Sequence, residues 1–460
     1  MTSAPRRTRQ PNRDLTRLIE ASGASHKALA HRINELARHA GLVTAYTHTS
    51  VANWARRGMT PRPPVPELLA TALAERLGRA VTAADIGMAL HDPAPGLGLD
   101  FPRDPADAVR VATTFWSHVD RRDFLGTSFS ATAFTTPVTR WLVTSADPDP
   151  ARRGGRHVGR RDLDELWQAA DEARAWDARY GGGSWKAGAL TQCLTHRAAP
   201  LLQGTFTSTI GAELFSATAE LSRLAGWSAF DTGQHDTAQR HFVQALRLAR
   251  AGGNTELGSY VLTTMALQTL LRGFPHQAID MTQGAYQRAR HLAAPRVLAF
   301  TKLIEARAHA RAHDAHNAAT ALAAAETLLD RARDQDDPPW IRYVTHARLA
   351  ADATEIHRDL RNPQAAHAWN RQAAATPSTT HTRSVGLRMT VVATLHLQTR
   401  DLDQALDLGH QAVNTLSGVS SARALDYIRD FTTALAPWRN EQRVTDFLHH
   451  ARTELDIATL

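Results

Sequence analysis

The residues best suited to chemistry lie together between Thr47 and Gly58. If this segment is a helix, apolar side chains recur on one face, which we expect to be buried: Val51, Trp54 and Ala55. Polar side chains recur on the opposite face: Thr49, Asn53 and Arg56. The major groove of DNA accepts an α-helix, and there an Asn amide pairs with adenine while a Thr methyl contacts the thymine methyl. The segment is therefore predicted to be a helix that reads DNA bases.

The end of this predicted helix is basic. Arg56 and Arg57 close it and Arg62 follows in a proline-rich turn, so we expect these side chains to hold phosphates. Thr47 is a suitable N-cap, and the free N–H groups of a helix start also bind phosphate. The complete set of candidate DNA-binding residues is Thr47, His48, Thr49, Ser50, Asn53, Arg56, Arg57 and Arg62. The alternative is an ordinary core helix with a polar outer face.

The basic charge of the chain is concentrated around this segment. Residues 1–90 contain 13 Lys and Arg against 6 Asp and Glu, a net charge of 13 − 6 = +7, whereas all 460 residues together carry +8. The other residues are almost neutral, with 40 basic against 39 acidic side chains. Clustered positive charge is typical of nucleic-acid binding or of attraction to an anionic membrane. Its position favours the DNA-binding interpretation over the ordinary core helix.

The elements that must position these residues are predicted to be helices. Apolar periodicity and capping residues indicate five helices in the first 90 residues: 13–22, 25–41, 47–57, 67–77 and a short one that Thr82 caps. Residues 91–105 are rich in Pro and Gly and are interpreted as a linker. Residues 106–204 are predicted to be a helical connecting or dimerisation region, with a loop over 144–161.

Residues 205–460 are predicted to form a tetratricopeptide-like array. The pattern Gly226-x6-Gly233-x4-Ala238-x3-Phe242-x2-Ala245 has small residues where paired helices touch and an aromatic residue that fills the gap. Five alanines are taken as equivalent, at spacings of 40, 41, 46 and 40 residues: Ala238, Ala278, Ala319, Ala365 and Ala405. Helical hairpins of this kind bury their apolar faces by stacking, so we expect an α-solenoid. An irregular bundle of Ala-rich helices is the alternative.

The segment Thr47–Gly58 resembles the recognition helix of the phage-repressor-like (Xre-type) helix-turn-helix family, on Val51, Trp54 and the Gly58 stop. The resemblance covers about residues 12–88. It departs from the family in a longer connection before Thr47 and in Ala55, where an acidic residue is common. With the array, the chain resembles actinobacterial Xre–tetratricopeptide regulators of sporulation and antibiotic control, on His48-Thr49-Ser50-Val51 and Val81–Met88 flanking a proline-rich turn. The resemblance implies a transcription factor whose array dimerises, senses a small molecule or peptide, or both.

Other patterns carry less weight. Cys193 is the only cysteine, which excludes a disulfide framework and cysteine-based metal sites. His309, His313 and His316 share a helical face, but no metal site is assigned to them. Tyr180–Ser184 is interpreted as a turn between helices in preference to an anion-binding loop. Arginines of the array either line a cationic groove or lie on solvated faces, the second being favoured: Arg223, Arg240, Arg247, Arg250, Arg288, Arg290 and Arg307.

The sequence thus predicts an all-α protein with an N-terminal five-helix helix-turn-helix domain and a tetratricopeptide-like α-solenoid. We expect a dimeric, sequence-specific regulator of transcription that binds double-stranded DNA in the cytoplasm, at the nucleoid. A small molecule or peptide in the repeat groove is a further expected partner. No enzymatic activity, cofactor, metal or membrane is expected. The alternative is a tetratricopeptide-type scaffold for protein partners with a vestigial DNA-binding module.

Overall fold

The computed structural model describes residues 11–39, 44–61, 65–77, 79, 81–83, 85–88, 96–119, 129–143, 147, 151–152, 154–183, 187–373 and 382–455. Helices dominate these residues, and the only strand-like features among them are two isolated bridges between 152–157 and 205–206. The predicted all-α class is confirmed. The described residues divide into two compact units, the first up to Met88 and the second from Gly96 onward, and each is described by itself.

The first unit contains four helices in its described part: α1 (Arg13–Ser22), α2 (His26–His39), α3 (His48–Arg57) and α4 (Val65–Leu77). Their apolar faces meet in one core, with residues such as Leu15, Ile33 and Val51 fully buried. The predicted starts and ends of α1 and α3 are confirmed. The expected stops of α2 and α4 lie outside the described residues, at Gly41 and Gly78. Helix α4 begins two residues before the predicted position, because Pro66 lies in its first turn, where the missing N–H costs nothing.

The predicted fifth helix is a hydrogen-bonded turn in the described residues. The backbone N–H and the hydroxyl of Thr82 both donate to Asp85 Oδ2 at 2.8 Å, and the N–H of Asp85 returns to the Thr82 hydroxyl at 3.2 Å. Gly87 then takes a left-handed conformation (φ 63°), which ends the turn before a helix can propagate. The turn still places Ile86 and Met88 in the core. Ala84 lies outside the described residues.

In its described part, the second unit begins with five α-helices that precede the array. The first helices are α5 (Pro105–His118), α6 (Thr135–Val143), α7 (Arg160–Tyr180), α8 (Ala187–Cys193) and α9 (Ala199–Leu202). The loop expected over 144–161 is free of helix in its described residues until α7 begins. No helix in the described part of the chain combines the length and the apolar composition needed to cross a membrane.

The array consists of consecutive helical hairpins, and this solenoid-like arrangement confirms the predicted architecture. The hairpins are α10 (Ser208–Asp231) with α11 (His235–Ala251), α12 (Thr255–Leu271) with α13 (Pro275–Ala289), α14 (Pro295–Arg311) with α15 (Ala315–Asp330), α16 (His346–Asp359) with α17 (Pro363–Ala373), and α18 (Thr382–Gln398) with α19 (Leu402–Leu416). Helices α20 (Ala422–Ala434) and α21 (Gln442–Glu454) pack on α18 and α19. In the first hairpin Phe242 lies on Gly226, where a Cβ would come within 2.7 Å of the ring.

The hairpin turns correct the repeat register. Each hairpin turns at one left-handed residue, and the fifth residue after it is a fully buried alanine. The turn residues are Gly233, Gly273, His313, Arg361 and Arg400, and the alanines are Ala238, Ala278, Ala318, Ala366 and Ala405. The equivalence assigned from sequence to Ala319 and Ala365 is therefore wrong by one residue, because spacing alone does not identify which of two adjacent alanines faces the partner helix.

The second half of the predicted linker is not a free connection. Residues 96–104 lie against α11, and Leu97 and Phe101 are buried. The Gln244 amide donates to the carbonyl oxygens of Gly98 (2.8 Å) and Asp100 (3.1 Å), and the Arg247 guanidinium to that of Pro102 (2.6 Å). The segment has no regular secondary structure, so its buried carbonyl groups are paired by side-chain donors of α11. Residues 91–95 lie outside the described part.

Candidate nucleic-acid interface

Helix α3 is defined at both ends by its own sequence. Thr47 has an extended backbone at the N-cap, and its N–H donates to the hydroxyl of Ser50 at 3.3 Å. Gly58 takes a left-handed conformation and its N–H donates to the carbonyl of Asn53, which stops the helix after Arg57. Both boundaries agree with the sequence. Ser50, proposed as a base-contacting residue, is engaged in this cap and half-buried.

The apolar face of α3 is buried as predicted. Val51, Trp54 and Ala55 are at most 5% exposed. The Trp54 ring meets the Tyr46 ring edge-to-face, with 5.1 Å between centroids. Such a contact fixes the rotation of α3 about its own axis, since the large indole fits in one orientation. The opposite face must then point outward.

Two asparagines that the sequence analysis did not single out hold α3 in place. Asn34 on α2 donates from its amide to the carbonyl of Tyr46 at 2.9 Å, and its amide oxygen accepts from the N–H of Tyr46 at 3.0 Å. The N–H of Asn12 donates to the carbonyl of Ala55 at 2.8 Å, and its side chain caps α1 and reaches the carbonyl of Ile86. An asparagine inside a helix is locally unfavourable, so Asn34 in the predicted second helix could have indicated a hydrogen bond to another segment of the chain.

The outward face carries the predicted polar residues. Thr47, His48, Thr49, Arg56 and Arg57 are exposed, while Asn53 and Ala52 are half-buried. His48 lies 3.4 Å from the Thr49 hydroxyl, so these two side chains contact each other at the start of the helix. The structure therefore brings seven of the eight candidate residues onto one helix and its cap. Arg62 lies outside the described residues.

Three side chains of this face, Asn53, Arg56 and Arg57, are unpaired within the described part of the unit. No described residue accepts an ion pair from Arg56 or Arg57, and no described residue bonds to the Asn53 amide. Another arginine of the unit shows what a structural pairing looks like: Arg32 on α2 binds Glu75 on α4 in bidentate fashion, with both N–O distances 2.8 Å. Hydrogen bonds from Arg32 lower the pKa of the Glu75 carboxyl, and hydrogen bonds to Glu75 and Glu35 raise the pKa of Arg32. Arg56 and Arg57 on α3 have no such carboxylate partner among the described residues.

Three of the arginines considered for a cationic groove are buried and ion-paired instead. Arg223 makes two hydrogen bonds of 2.8 Å to Glu220, Arg247 binds Asp147 at 2.6 Å, and Arg307 binds Glu355 at 2.7 Å. Burial by itself would lower the pKa of Arg307, but Glu355 and other partners raise it well above its ordinary value. Neither a cationic groove nor a solvated face describes these three side chains, because their charges are neutralised inside the unit. Arg290 is exposed, as the favoured alternative expects.

The remaining sequence patterns have structural roles. His309 Nδ1 lies 3.1 Å from Asp314 Oδ2, and this contact spans the turn between α14 and α15. The described residues contain no group of three or more His, Cys, Asp or Glu placed to hold a metal ion. Gly182 and Gly183 form a close turn: the N–H of Gly182 donates to Asp231 Oδ2 at 2.9 Å, and the N–H of Gly183 to the carbonyl of Ser420 at 3.0 Å. Ser184 lies outside the described residues.

The first unit is similar to one known protein family. Residues 15–89 match the family model described as the SP15 N-terminal domain. The matched region runs from α1 through the turn after α4 and covers less than half of the chain. None of the curated proteins compared with the chain matches it.

Proposed function

We propose that the protein is a sequence-specific DNA-binding regulator of transcription and that α3 is its reading helix. The observation that carries the proposal is the outward face of α3. Asn53, Arg56 and Arg57 have no partner among the described residues, on a helix whose rotation Trp54 fixes. An amide in the middle and guanidinium groups at the end of such a helix match a base edge and flanking phosphates.

The charge distribution supports the same proposal. The net charge of +7 in residues 1–90, against +8 for the whole chain, attracts a polyanion to this unit and leaves the array nearly neutral. Thr49 and His48 extend the polar face toward the start of α3, where free N–H groups meet a phosphate. Arg62 completes the set of proposed phosphate contacts.

We further propose that two copies of the chain bind together, with the array providing dimerisation, ligand or peptide sensing, or both. A single reading helix buries little surface, and two half-sites about one helical turn apart multiply its affinity. A helical repeat array is a suitable partner surface because its hairpins stack into an extended body.

The test is selection of bound sequences from a random duplex library by the full chain. The expected result is enrichment of a sequence with two related half-sites, spaced by about one turn of DNA (~10 base pairs). Equal recovery of all sequences, together with no retention on heparin, would contradict the proposal and favour a protein-binding scaffold. A chain without residues 1–90 would then retain its protein partners.

A further inference from the structure

A pocket lies in the second unit between α7, α8 and α10. Its larger walls are the two tryptophans Trp176 and Trp227, with Leu190 and Leu224. The rest of the wall consists mainly of small residues, which are alanines of α7 and α8 and the glycines after α7. Their small side chains leave the interior of the pocket open. Cys193, the single cysteine of the chain, also faces the pocket.

Among the described residues, the ionisable side chains of the pocket wall besides Cys193 are acidic. They are Glu172 and Asp177. Asp177 is neutralised, because Arg383 binds it at 2.7 Å and 2.9 Å and the indole N–H of Trp227 donates to it at 3.1 Å. Glu172 accepts one hydrogen bond, from the Gln168 amide at 3.0 Å, and forms no ion pair with any described residue. One uncompensated carboxylate therefore stands at the edge of an aromatic and aliphatic pocket.

The walls are held in place by buried contacts. The N–H of Gly182 donates to Asp231, which also binds Arg383 at 2.7 Å and Arg423 at 3.1 Å. Burial by itself would raise the pKa of Asp231, but Arg383 and Arg423 lower it. The carboxylate therefore stays charged and keeps its hydrogen bonds to both arginines. A pocket whose walls are already fixed costs a ligand little ordering on binding.

We propose that this pocket binds an organic cation with a flat apolar body, such as a protonated arylalkylamine. The apolar body contacts the tryptophan side chains of the wall, and the ammonium group pairs with Glu172. An anionic ligand is disfavoured by the same carboxylate. The site does not involve α3, and its test requires no DNA, so it stands or fails independently of the proposed function.

The test compares three compounds with the same ring by calorimetry on the full chain: 2-phenylethylamine, 2-phenylethanol and 3-phenylpropionate. The amine is expected to bind at least about tenfold more tightly than the alcohol, and the carboxylate most weakly. Equal affinities, tighter binding of the carboxylate, or no heat from the amine would each overturn the proposal.

A second readout locates the binding. Cys193 is the only thiol, so the rate of its modification by a maleimide reports access to the pocket. Burial raises the pKa of the Cys193 thiol, so the reaction is followed at mildly alkaline pH. Saturating amine is expected to slow modification several-fold. An unchanged rate at saturation would place the amine elsewhere and overturn the assignment.

A variant isolates the carboxylate. Glu172→Gln is expected to weaken binding of the amine about tenfold and to leave binding of the alcohol unchanged. Asp164→Asn is the control, since it removes one exposed negative charge, which pairs with Arg160, from the same helix outside the pocket. If both variants weaken the amine equally, the effect is general electrostatics and Glu172 is not a ligand. Both side chains are solvent-exposed, so neither change threatens folding.

Discussion

At the scale of single residues, the chain uses arginine in two different ways. Arg32 and the buried arginines of the second unit are matched to carboxylates, which makes them structural. Arg56 and Arg57 are exposed at the end of α3 without such a match among the described residues. The count of basic residues could locate the excess charge, but it could not separate these two uses, because pairing depends on contacts between distant helices.

The proposed role of Arg57 gives a quantitative prediction. Arg57→Ala is expected to weaken binding to all DNA sequences by a similar factor and to reduce the slope of log affinity against log salt by about 1, since one phosphate contact is lost. The measurement is a salt-series binding titration. Arg17→Ala is the matched control, because this exposed arginine pairs with Asp14 on α1. A parent-like slope for Arg57→Ala would remove Arg57 from the interface.

At the scale of elements, the array repeats one turn with changing residues. Gly233 and Gly273 supply the left-handed backbone without cost, but His313, Arg361 and Arg400 adopt the same conformation with φ between 54° and 62°. The sequence therefore identified the first two hairpins through their glycines. The later turns have no glycine at this position. The repeat register is therefore assigned from sequence to Ala319 and Ala365, whereas the fully buried alanines are their neighbours Ala318 and Ala366.

The left-handed conformation of this turn can be tested by an alanine substitution at one of its glycines. A Cβ at Gly273 would meet no atom within 4 Å, so Gly273→Ala changes only the backbone preference at φ 88°. The free energy of unfolding is expected to fall by about 1 kcal/mol, the cost of a left-handed L-residue. Gly418→Ala, also in open space but without positive φ, should change it by less than about 0.5 kcal/mol in the same urea titration. Equal effects would contradict the interpretation.

At the scale of the molecule, hydrogen bonds join helices from different parts of the array. The hydroxyl of Tyr427 on α20 donates to Glu355 on α16 at 2.8 Å, and it accepts from Arg307 on α14 at 3.2 Å. Repeat periodicity predicted neighbouring contacts correctly. It could not predict these contacts, because they depend on how tightly the array winds.

Glu355 predicts how the stability depends on pH. Burial by itself would raise the pKa of Glu355, but Arg307, Arg358 and Arg311 lower it to about 2. A depressed pKa stabilises the folded state above the ordinary value of 4.5, and this contribution is lost as the pH falls toward about 2. Glu355→Gln is expected to lose about 3 kcal/mol near neutral pH, with a deficit that shrinks over this window. A deficit independent of pH, in unfolding titrations, would contradict this account.

The central claim, that α3 reads bases, is tested most directly by repeating the library selection with Asn53→Ala. The parent is expected to select two related half-sites, and the variant to lose its preference at one base pair of each, a discrimination of about 1–3 kcal/mol, while it keeps the others. Gln411→Ala, which removes an exposed amide from α19, should select the parental sequence. Selection of the parental sequence by Asn53→Ala as well would contradict the account.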